Sequence, residues 1–182
     1  MDTHDRSKFG SALVNCLVLL SAGAAAIHFA VIGDHFDEYW AYGIFFAVGA
    51  WLQILWAIVL GASVSRWLLL AGMLGNAIIV AIWVVSRTSG LPVGPHAGTP
   101  ETAEFIDILA TSFELLIVVG SVVLVRGSAE RLRFGTRGAT VTTVASALIV
   151  VTLTTAAIAK VSVPHEESDV FHETPQHHTP QR

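Results

Sequence analysis

The chain has 182 residues, 53% of them hydrophobic and only 13% charged, with a mean hydropathy of +0.65. Soluble domains carry roughly 25% charged residues, so this balance excludes an ordinary water-soluble globule. The formal charge of −4 conceals an uneven distribution, and the single cysteine, Cys16, excludes an intrachain disulfide framework and any multi-cysteine metal or iron–sulfur site.

A transmembrane helix needs about 20 mostly apolar residues. Five stretches meet or approach that length: Phe9–Ile32, Trp40–Ala62, Trp67–Val85, Phe105–Val125 and Ala139–Val163. They predict an all-α polytopic membrane protein, a five-helix bundle over residues 1–163, with a polar tail over 164–182 and no room for a separate soluble domain. The lipid bilayer is then the first partner of the chain.

The first stretch follows Arg6 and Lys8 and contains the small-residue patch Ala22–Ala26. A cleavable signal peptide is an alternative reading of it. Against that reading, apolar character runs on past Ala26 to Ile32. Cys16 reads as a small apolar packing residue. His28 lies about 6 Å below the end of the stretch, and Ser21, His28 and His35 repeat at seven, on one helical face. The first connection, Gly33–Tyr39, carries Asp34, Asp37 and Glu38 and no Lys or Arg.

The second and third stretches hold Gln53 and Asn76, the latter after Gly72 and Gly75, small residues that let helices approach closely. Both amides suit interhelical hydrogen bonding. Trp40, Tyr42, Trp67 and Trp83 sit near span ends, where an aromatic belt belongs. The third connection, Ser86–Glu104, holds Arg87, Glu101 and Glu104 among three glycines and three prolines, which marks a constrained loop able to cap the bundle mouth.

The fourth stretch carries the costliest residue. Glu114 lies nine positions in from Phe105, roughly 13 Å deep and close to the bilayer midplane. Asp107, Thr111, Glu114 and Ser121 share one helical face, which must point into protein. The fifth stretch has eight Ser or Thr residues and no acid, and reads as a packing or oligomerisation surface, with Lys160 able to snorkel to the interface.

Basic residues gather in the amino-terminal arm, at Arg66, and at Arg126, Arg131, Arg133 and Arg137, all on one side if the spans alternate. By the positive-inside rule that side is cytoplasmic, which puts the amino terminus inside and the carboxyl terminus outside. The four arginines of the fourth connection read as anchors to anionic lipid, not as a nucleic-acid site. Six of the eight histidines then fall outside: His35, His96, His165, His172, His177 and His178.

These residues set the functional expectation. His28, His35, Asp34, Glu38, Asp107 and Glu114 form a candidate cation site. The tail histidines 165, 172, 177 and 178 are weaker candidates. Imidazole and carboxylate suit a transition metal ion such as copper or zinc, and a membrane carboxyl suits a proton. The spacings match no closed zinc motif. No nucleotide-binding loop or nucleophilic triad is present, so a catalytic role is not indicated. The leading reading is a cation-binding multi-pass protein of the cell membrane. The alternatives are an accessory subunit of a larger membrane complex or homo-oligomer, and a small redox protein linked to quinone or haem.

Overall fold

The computed structural model describes residues 3–127 and 136–161, with side chains over 11–127 and 138–160. Among the described residues the chain is all-helical: α1 Thr3–Glu38, α2 Trp40–Ala62, α3 Arg66–Thr88, α4 Phe105–Val125 and α5 Thr136–Val161. Each contains a segment of 21 to 28 residues whose apolar 18-residue stretch has a mean hydropathy of 2.0 to 2.4, long and apolar enough to cross a membrane.

The helix ends differ instructively from the hydropathy edges. The predicted first connection, Gly33–Tyr39, is helical up to Glu38, and Tyr39 alone leaves the helix, with φ −160° and ψ 123°. The reason is that hydropathy marks where lipid stops, whereas a helix continues as long as its backbone bonds are made. Likewise α3 runs to Thr88, so the third connection begins at Ser89 and not at Ser86. The turn between α2 and α3 is only Ser63–Ser65, and the Ser65 hydroxyl caps α3 by accepting from Leu68 N at 3.1 Å. At the start of α4, Glu104 and Asp107 form a capping box, with Glu104 N donating to Asp107 Oδ2 at 3.1 Å.

The long helix α1 is the centre of the bundle, packed against α2, α4 and α5, while α3 leans on α4 and barely touches α2. One apolar cluster joins Ala24, Ile27 and Val31 of α1 to Ile106, Leu109 and Phe113 of α4 and Val150 of α5. The Ala22–Ala26 patch is what allows this approach. A β-carbon added at Gly23 would stand 2.7 Å from Val150 and 3.0 Å from Phe113. A second cluster joins Val14 and Leu17 of α1 to Trp56, Leu60, Leu69 and Ile117. Along α4, Glu114 falls between Phe113 of the first cluster and Ile117 of the second, so a polar layer is sandwiched between two dry ones.

The outer faces of α2, α3 and α5 present Trp51, Leu52, Ile58, Leu74 and Leu148, each more than half exposed. In water this would be an untenable surface; against acyl chains it is the expected one. Two hydroxyls of α5 find partners, Thr142 donating to Gly138 O of its own helix at 2.8 Å and Ser146 accepting from Cys16 Sγ of α1 at 3.3 Å. The fold thus defines a helical membrane protein.

Candidate functional site

The predicted polar face of α4 does turn inward. Glu114 and Ser121 are 1% and 0% exposed, and Asp107 and Thr111 are half-buried. Opposite Glu114 stands His28 of α1, itself buried, whose Nε2–H donates to Glu114 Oε1 at 2.8 Å. Two further helices complete the layer. Gln53 of α2 donates through Nε2 to the same carboxylate oxygen at 3.2 Å and to Asn76 Oδ1 at 3.4 Å. Asn76 of α3 donates back to Gly72 O at 2.8 Å, and Ser21 donates to the backbone carbonyl of Gln53 at 2.9 Å. Four helices are therefore cross-linked at one depth by groups that lipid cannot solvate.

The layer is not fully satisfied. His28 Nδ1 and Gln53 Oε1 are buried without a hydrogen-bond partner. Buried polar atoms are paired in the great majority of cases, so these two atoms keep hydrogen-bonding capacity that the layer itself does not use. One face of the histidine is fixed by Phe46, which meets His28 edge-on at 5.1 Å and stacks on His35 at 3.8 Å.

A cavity of about 320 Å³ connects this layer to one end of the bundle. Its floor is His28 and Glu114, and its mouth lies among Glu38, Tyr42, Arg87 and Glu101. The mouth is built on Arg87, whose guanidinium bridges Glu101 and Asp107 and packs on the Trp83 ring, 5.8 Å from its centroid. That fork ties the connection 89–104 to both α3 and α4. Tyr42 adds a second tie from α2, its hydroxyl donating to Val93 O at 2.6 Å. Gly94 makes this seat possible, because its φ of +97° and the Tyr42 ring against it both exclude a side chain. A separate, lipid-facing groove of about 760 Å³ runs between α2 and α3, with Gln53 and Asn76 in its wall.

Of the sequence-derived candidates, the structure brings His28 and Glu114 into contact and places His35, Glu38 and Asp107 along the same cavity. It does not gather them into one coordination shell. His35 Nδ1–H is committed to Val31 O at 2.8 Å, Asp107 to Arg87 and the α4 cap, and Asp34 is exposed away from the cavity. Among the described residues no three His, Cys, Asp or Glu side chains converge as metal ligands would. The tail candidates His165, His172, His177 and His178 lie outside the described residues.

Several contributors were not legible as site residues. Arg87 is the one basic residue in the third connection as read from sequence, and that isolation was the available signal. Tyr42 and Trp83 look like belt residues, yet they line the cavity, whereas Trp40 and Trp67 are 62% and 80% exposed as a belt requires. Phe45 and Phe46 carried no signal at all.

With this geometry in view, comparison with protein-family models, curated proteins and solved structures finds no match to the chain. The class is set by the fold: a membrane protein of five apolar helices among the described residues, four of them joined by a buried polar layer.

Proposed function

We propose that this protein is a multi-pass component of the cell membrane that binds a proton at the His28–Glu114 pair, taking it up from the outer side through the cavity. The observation that carries the reading is a carboxyl group 1% exposed, 2.8 Å from an imidazole, on the floor of a cavity that opens at the bundle end. Membrane carboxyls in such settings mark proton and ion pathways. A transition metal calls for three or four ligands, whereas a proton needs only the pair that is assembled here. Orientation follows from the charges. The reading of the mouth as extracytoplasmic is supported by Arg66 and Arg126, which lie at the helix ends opposite the mouth, where the positive-inside rule expects the cytoplasm, against Arg87 alone at the mouth.

The test is an infrared pH titration of the full chain in lipid vesicles, following the carbonyl band of protonated carboxyl groups. Wild-type protein is expected to show a buried carboxyl band that responds reversibly to pH. Glu114→Gln is expected to lack that band while keeping its helical content. If no band distinguishes wild type from Glu114→Gln across the titration, the proton reading is wrong.

A further inference from the structure

The cavity has a character that proton binding alone does not require. Its charged lining is strongly one-sided. Glu38 of α1, Glu101 of the third connection, and Asp107 and Glu114 of α4 face it, against Arg87 of α3 as the single fixed positive charge. The other titratable groups facing it are His28 and His35 of α1 and Tyr42 of α2, and α5 takes no part in its wall. Arg87 is already engaged by two of those carboxylates, so the mouth presents no free positive charge to an anion. Below the mouth the wall carries the rings of Phe45, Phe46 and Trp83 among aliphatic side chains such as Ile79, Ile82 and Ile106. Aromatic faces attract cations, most strongly where water is excluded, and quaternary ammonium groups are the ligands such walls hold best. The floor adds an independent feature, since His28 is 5% exposed and its Nδ1 lacks a partner.

We propose that the cavity binds a small monovalent organic cation bearing an aromatic or quaternary ammonium group, in exchange for the proton of Glu114. The inference rests on the proton reading above. The exchange balances simply: the protonated carboxyl releases one proton to the outer side, and the carboxylate left behind pairs with one positive charge. No covalent bond to the ligand forms. The volume of about 320 Å³ stands at the small end of ligand cavities and limits the occupant to a compact cation. The route is polar at the mouth, where the cation arrives hydrated, and apolar below, where Phe45 and its aliphatic neighbours replace part of its water.

Benzyltrimethylammonium and its neutral isostere neopentylbenzene separate charge recognition from simple apolar partition. Binding of each to the full chain in lipid nanodiscs is measured by equilibrium dialysis, with proton release followed in weakly buffered solution. The cation is expected to bind saturably, about 10- to 30-fold more tightly than the isostere, and to release protons on binding. Glu114→Gln is expected to abolish proton release and weaken the cation at least about 10-fold, and Phe45→Ala to weaken it by a smaller factor. Equal binding of the two compounds, unchanged binding to Glu114→Gln, or binding without proton release would each overturn the proposal. A normal infrared titration of Glu114 with no binding of the cation overturns the ligand and leaves the proton reading standing. Loss of the titration itself removes both.

Discussion

Replacing Glu114 tests the polar layer directly, because the two obvious substitutions should behave very differently. Glu114→Ala removes the acceptor of both His28 Nε2–H and Gln53 Nε2–H. Gln53 keeps Asn76 Oδ1 at 3.4 Å, so one buried donor, that of His28, is orphaned outright. An orphaned buried donor costs about 1–3 kcal/mol, and the lost methylene adds about 0.8 kcal/mol of burial. Interhelical bonds measured within membranes average only about 0.6 kcal/mol, because the unfolded chain in lipid also finds partners, which pulls the sum toward its lower half. The expected cost of Glu114→Ala is therefore about 2 kcal/mol. Glu114→Gln keeps a carbonyl oxygen for both donors and is expected to cost no more than about 1 kcal/mol. Reversible unfolding in mixed detergent micelles, read by circular dichroism, measures both. If Glu114→Ala is as stable as wild type, or Glu114→Gln costs as much as Glu114→Ala, the hydrogen bonds of the layer are not those described.

Three further outcomes follow from other parts of the bundle. A β-carbon at Gly72 would collide with the Trp56 indole, which also donates to Leu68 O at 2.8 Å, whereas nothing stands within 4 Å of the same position at Gly75. Gly72→Ala is thus expected to destabilise by about 1–2 kcal/mol after the gain in helix propensity, and Gly75→Ala to be neutral or stabilising, in the same unfolding assay. Arg87→Ala should speed amide hydrogen exchange across the connection 89–104, and Arg87→Lys should restore protection only in part, because an ammonium cannot hold two carboxylates in one planar fork. Exchange unchanged by either variant would show that the fork does not hold the connection. In a Cys16→Ser background, a membrane-impermeant maleimide should label Asp34→Cys in intact cells and Ser63→Cys only after permeabilisation, both positions being exposed at opposite bundle ends; the reverse pattern inverts the orientation.

The second and fourth helices have the same limits in hydropathy as in the structure, because apolar length and helix length coincide where a span ends abruptly at Ser63 or at the α4 cap. They diverge in α1, where Asp34, Asp37 and Glu38 leave the lipid without leaving the helix. The heptad spacing of Ser21, His28 and His35 and the inward stripe of α4 were enough to place His28 and Glu114 on inner faces. Spacing within one helix says nothing about depth relative to another, so the shared carboxylate oxygen that joins α1, α2 and α4 could be read only from their packing. The same gap explains the candidate metal set. His35 and Asp107 carry ligand-type side chains, but both are occupied by local bonds that sequence spacing does not reveal.

Local composition and the cost of burying charge already specify the solvent of this protein, the number of apolar helices among the described residues and the residues that lipid would not tolerate. Tertiary structure alone decided what those residues do for one another. Leaning α3 on α4 instead of α2 opens the cavity beneath Arg87, and the close approach of α1 to α4 sets His28 on Glu114. The physical reason is that an amino acid's tolerance for lipid is a property of its own atoms, while a binding site is a property of the distances between helices.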